Sequence, residues 1–161
     1  TCSLTALQYV EAQELIERGE ESLPLLAAIL YYPEKEYNSE RAHELANDFA
    51  KLPLETLTAI SFNFQAFNNY LFSKTSFSLL SKFVKKPKHP ITTDASDALY
   101  DLSKEGLGDA RQIEQMNVLT YLKVLRKKTI DAVHDMKGFG WDKLKISEEV
   151  GLPISVIDKI L

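Results

Sequence analysis

Three features of the sequence predict an all-α fold, an irregular multi-helix bundle that ends in a helix-turn-helix-like hairpin. Apolar residues recur at steps of three and four in one segment after another. Capping signals and Gly or Pro punctuation separate those segments at helix-length intervals. Strand-like alternation is scarce along the 161 residues.

Thr5-Ala6-Leu7-Gln8 has the form of a capping box, in which hydroxyl and amide each satisfy a free backbone N–H. It predicts a helix running to about Arg18, where Gly19 stops it. Ser22 is expected to cap a short helix through Leu25, Leu26, Ile29 and Leu30, with Pro24 tolerated in its first turn. Tyr32-Pro33 ends that helix, and Asn38 or Ser39 starts another through Ala42, Leu45, Ala46 and Phe49. After Pro53, a stripe of Leu57, Ile60, Phe64, Phe67 and Leu71 marks a helix of at least five turns. Residues 72–84 read either as its continuation or as a short second helix.

Two prolines in Lys85-Lys86-Pro87-Lys88-His89-Pro90 predict a loop over 85–93, the place where the bundle would subdivide. Asp94 is expected to cap a helix through Ala98, Leu99 and Leu102, closed by Gly106-Leu107-Gly108. Asp109 with Gln112 starts the next. From Val118, the positions Leu122, Leu125, Thr129, Ala132 and Met136 form a seam too short for a coiled coil, so intramolecular packing is expected. Gly138 and Gly140 suggest a hinge, dividing a bundle over 1–137 from a hairpin over 138–161. In that hairpin a helical run over 141–150, the turn Gly151-Leu152-Pro153 and a second helix from Ile154 place Ile146, Val150, Leu152, Val156, Ile157 and Ile160 to form a small core.

Composition narrows the function classes. Hydrophobic residues at 45% and charged residues at 26% are ordinary globular usage, and no apolar run approaches the ~20 residues of a membrane span. Cys2 stands alone, which leaves no internal disulfide or thiolate cage. The net charge of −4 is uneven, with eleven acids against four bases over 1–55 and twelve against fifteen over 56–161.

Chemistry-bearing patterns are few. His43, His89 and His134 lie far apart without metal-ligand spacing, and Glu11, Glu14 and Glu21 read as a solvated helix face. Neither a phosphate-cradling glycine loop nor a glycine-framed serine is present. The expectation is a non-enzymatic protein with no cofactor and no metal.

Two clusters of bases, one of Lys82, Lys85, Lys86 and Lys88 and the other of Lys123, Arg126, Lys127 and Lys128, could neutralise phosphates, but solubility and local charge balance are the favoured account in an acidic chain without interleaved aromatics. The second hairpin helix, however, offers Ser155, Asp158 and Lys159, with no Arg, Asn or Gln for bidentate base contacts. A protein-docking hairpin is favoured on those side chains. The alternative is a nucleic-acid-binding regulator using Lys85, Lys86, Lys88, Arg126, Lys127, Lys128, Ser155 and Lys159.

The segments LTALQYVEAQELI (4–16), LLAAILYYPEKEYNSERAHELANDFAKLPLETLTAISFNF (25–64) and ALYDLSKEGLGDARQIEQMNVLTYLKVLRKK (98–128) cover about two thirds of the chain. Their order, with an aromatic-Pro-Glu turn, a Leu-Pro start to a long helix and a Leu-x-Lys-Glu-Gly turn, resembles small helical proteins of phage and prophage tail-gene clusters in Bacteroidetes-type bacteria. The terminal helix pair departs from that pattern. The resemblance implies a tail-assembly chaperone or adaptor whose partner is a helical tail or tape-measure protein, acting in the bacterial cytoplasm or on the virion. Such a protein needs an apolar surface for an amphipathic helix. The candidates are Phe62, Phe64, Phe67, Tyr70, Leu71, Phe72 and Phe77, for which core packing is the competing account.

Overall fold

A computed structural model describes residues 2–84, 95–106 and 108–161. The chain is all-α, and among the described residues no strand forms. No helix among them is long and apolar enough to cross a membrane. The 85–93 loop, with Lys85, Lys86, Lys88 and His89, lies outside the described residues, as do Asp94 and Leu107.

The first helix, α1 (Ala6–Leu15), opens on the expected capping box of Thr5 and Gln8. It ends earlier than Arg18, after the buried Leu15. Ser22 does not cap α2 (Leu23–Leu30) with its side chain. Its buried hydroxyl instead shares its one proton between the carbonyls of Leu15 (3.0 Å) and Gly19 (2.7 Å), tying the start of α2 back to the end of α1. Asn38 caps α3 (Ser39–Phe49), and Pro53 precedes α4 (Leu54–Lys74). A 3₁₀ segment (Ser76–Ser81) follows, capped by the Thr75 hydroxyl, so 72–84 is partly continuation and partly a separate turn.

The helices α5 (Ala95–Lys104) and α6 (Ala110–Glu114) lead into α7 (Val118–Gly138). Asp109 and Gln112 form the expected box at α6. The segment just before α7 ties the two halves together. Thr5 and Asn117 form an isolated antiparallel bridge, with Ala6 N donating to Met116 O (2.7 Å) and Val118 N to Leu4 O (2.9 Å). The Gln115 amide donates to Tyr37 O (2.7 Å) and accepts from Tyr37 N (3.1 Å).

Two hydrophobic cores result. The larger joins α1, α2, α4 and the start of α7 through residues such as Val10, Leu26, Ile29, Phe64 and Tyr121. In α7 the intramolecular reading of the seam fits the packing: Thr129 is fully buried, and its hydroxyl is satisfied by Leu125 O at 3.0 Å. The smaller core gathers Ile146, Val150, Leu152, Val156 and Ile157 around Val133 of α7, with Leu79 and Phe83 packed against it.

That smaller core includes the expected hairpin of α8 (Lys143–Val150) and α9 (Ile154–Ile160). Gly151, at φ +81°, supplies the left-handed turn that ends α8. At the glycines expected to form a hinge, the backbone is hydrogen-bonded to α7. Gly140 N donates to Lys137 O and Trp141 N to Met136 O, which together close α7 in a Schellman motif. Trp141 and Met136 then both pack on the smaller core. The expected boundary between 137 and 138 therefore runs through a packed cluster, and the hairpin is seated on α7.

Candidate functional site

The candidate residues on α4 divide according to helical geometry. Residues two apart on a helix point ~200° apart, so Phe62 and Phe64 cannot share a face. Phe64 and Leu71 are buried in the larger core, as is Phe77 of the 3₁₀ segment. Phe67 and Phe72 are half-buried, and Phe67 lines a shallow groove with Leu4, Leu30 and Tyr31. Only Phe62 and Tyr70 of this set stand outside, with 63% and 61% of their surfaces exposed. The continuous aromatic groove expected from the sequence is therefore not formed.

A different surface takes its place. Phe62 and Tyr70 share the outer face of α4 with exposed Ala59, Asn63, Ala66 and Asn69. Eighteen consecutive residues, 56–73, contain no Asp, Glu, Lys, Arg or His. Exposed helix faces normally carry charges of both signs, so a five-turn face without any is unusual for a surface that meets only water. The first and last charges of the helix, Glu55 and Lys74, are exposed at its two ends, with no ion pair among the described residues. Sequence reasoning missed Ala59 and Ala66, though the length of the charge-free run was there to be read.

Of the second candidate set, Lys85, Lys86 and Lys88 lie outside the described residues, and Arg126, Lys127 and Lys128 are engaged. Arg126 Nε donates to Ser76 O (3.0 Å), Lys127 pairs with Asp131, and Lys128 Nζ lies 2.7 Å from Glu105 Oε1. Ser155 and Lys159 are exposed on α9, whereas Asp158 is held by Lys143 of α8. Lys82, Arg126 and Lys159 nevertheless line one groove between the 3₁₀ segment, α7 and α9. Sequence distance concealed that convergence.

His43 and His134 are exposed on separate helices, and among the described residues no three His, Cys, Asp or Glu side chains gather as a metal set would. Glu11 departs from the solvated-face expectation. It is half-buried and accepts a hydrogen bond from the buried Tyr37 hydroxyl. Burial, and then the adjacent Glu11 carboxylate, hold the Tyr37 hydroxyl protonated well above the usual tyrosine range. This is a structural tie between α1 and the turn before α3.

No protein-family model matches this chain, and no curated protein or solved structure matches it either. What the outer surfaces can bind rests on their chemistry.

Proposed function

We propose that this chain is a non-enzymatic protein-binding factor that docks a partner helix on the outer face of α4. The single observation that carries the reading is the charge-free exposed face on which Phe62 and Tyr70 stand out. An amphipathic partner helix would cover those rings and seat its own side chains over Ala59 and Ala66, where the α4 surface is low. The assembly setting, a chaperone or adaptor for a helical tail or tape-measure protein in phage-type tails, rests on the resemblance of residues 4–16, 25–64 and 98–128. It places the protein in the bacterial cytoplasm or on the virion.

Co-expression with a long helical tail protein tests it. Capture should be lost in Phe62→Asp and Tyr70→Asp and kept in Lys127→Glu/Lys128→Glu. Capture that survives both aromatic changes in a folded chain sinks the reading.

The groove of Lys82, Arg126 and Lys159 beside the hairpin favours a second reading, a nucleic-acid-binding regulator. Its contacts would be with phosphate, since the outward side chains of α9 offer no bidentate base reader. A mobility shift on random DNA at low salt, abolished by Arg126→Glu/Lys159→Glu, would favour it over the first.

A further inference from the structure

We infer that the resting occupant of the α4 face is a second copy of this chain, paired antiparallel about a two-fold axis beside residues 64 and 65. This deepens the reading of α4 as a docking surface and rests on it.

The face is self-complementary in both size and charge. Along its exposed line run Glu55, Ala59, Phe62, Ala66, Tyr70 and Lys74, in the order acid, small, large, small, large, base. Turning a second copy end for end about that axis sets Glu55 against Lys74 of the second copy. The same operation sets Ala59 against its Tyr70 and brings Phe62 within one residue of level with its Ala66, so each ring lies beside a methyl rather than another ring. Every contact occurs twice, as an isologous interface requires.

The charge-free stretch between the ends matters for a chain of net charge −4, because two copies meet there without like charges facing one another. A parallel pairing would place Glu55 on Glu55 and Lys74 on Lys74. An antiparallel one converts both ends into opposite-charge pairs.

Size sets the strength. The helix is ~30 Å long and ~10 Å wide, so its face projects on the order of 300 Å², short of the ~800 Å² per partner of stable complexes. The pairing is therefore weak and reversible. Such a pair keeps Phe62 and Tyr70 covered and releases the face when a better-fitting helix arrives.

Sedimentation equilibrium of the whole chain, over a dilution series, should show monomer and dimer in exchange. Phe62→Asp should leave a folded monomer, because its side chain is outside the core. Glu55→Lys should weaken the dimer at both ends, and Glu55→Lys/Lys74→Glu should restore it. A role for these charges confined to their own helix dipole predicts the opposite, since the double change is then the worst of the three.

In a Cys2→Ser background, Asn63→Cys should crosslink to itself. Ala59→Cys should crosslink to Tyr70→Cys but not to itself. A monomer at every concentration, a dimer indifferent to Phe62→Asp, or an Ala59→Cys self-crosslink overturns the inference. If the chain is monomeric yet captures a helical partner through Phe62, the pairing fails and the docking function stands. If Phe62→Asp alters neither self-association nor capture, both fail.

Discussion

Ile157 and Leu26 allow the two cores to be perturbed separately. Ile157 is fully buried in the smaller core and Leu26 is nearly so in the larger one. Replacing either with Ala removes three carbons, about 2.4 kcal/mol at ~0.8 kcal/mol each. The cavity left behind raises the cost to ~3 kcal/mol, within the usual ~2–5 kcal/mol for such truncations. At ~1.4 kcal/mol per decade this is on the order of a 100-fold change in an opening equilibrium. Native-state hydrogen exchange, read by mass spectrometry on peptides from α1, α2, α8 and α9, distinguishes the cores. Ile157→Ala destabilises the native state against every form in which the hairpin is open, so α8 and α9 amides should exchange ~100-fold faster. Leu26→Ala is the decisive variant. If the hairpin opens while the larger core stays formed, Leu26→Ala accelerates α1 and α2 amides and leaves α8 and α9 unchanged. Equal acceleration of all four would show one cooperative unit and refute the two-core account.

The buried Gln8 side chain donates to Ile29 O (2.7 Å) and accepts from Thr5 N (3.0 Å). Gln8→Ala strands the Ile29 carbonyl and should cost ~1–3 kcal/mol in urea unfolding. Burial raises the Tyr9 hydroxyl from 10.0 to about 12, with the Gln13 hydrogen bond opposing the rise. Folding favours the protonated phenol, so this stabilisation is fully present below pH 10 and lost as pH rises from about 10 to about 12. Tyr9→Phe should flatten that part of the stability profile, and an unchanged alkaline slope would count against the assigned burial. Two glycines near the end of α7 should respond with opposite signs. Gly138 is helical and a methyl added there meets only open space, so Gly138→Ala should add ~0.4–1 kcal/mol. Gly140 also has open space, but its φ is +83°, so Gly140→Ala should cost ~1–2 kcal/mol, and thermal melts should rank the pair accordingly.

Much of the helical framework was legible because its signals are local. The capping boxes at Thr5 and Asp109 and the stripe of Leu57, Phe64 and Leu71 depend on residues within a few turns. What the sequence could not reveal depends on distant partners. The Ser22 hydroxyl turns back to Leu15 instead of capping α2, and Val133 is drawn into the hairpin core by residues that follow it in the chain. Phe62 and Phe64 read as one aromatic cluster along the sequence, whereas the 100° step per residue sets them on opposite sides of α4. The candidate site was legible in its members Phe62 and Tyr70, but not in the small residues between them. An alanine carries little signal until its exposure beside an aromatic ring is known.

The bridge between Thr5 and Asn117 also bears on how the chain is made. The residues that start α1 leave the ribosome more than a hundred residues before those that hydrogen-bond to them. Early contacts with α2 can form, including Gln8 to Ile29, but the backbone donors of Ala6 and Val118 find their acceptors only after 116–118 have emerged. The start of α1 is thus fastened only once the far side of the bridge has been made. Until then the apolar side of α1 waits on synthesis of its own cover, a long-range closure of the kind that slows folding and lengthens the exposure of unfinished chains.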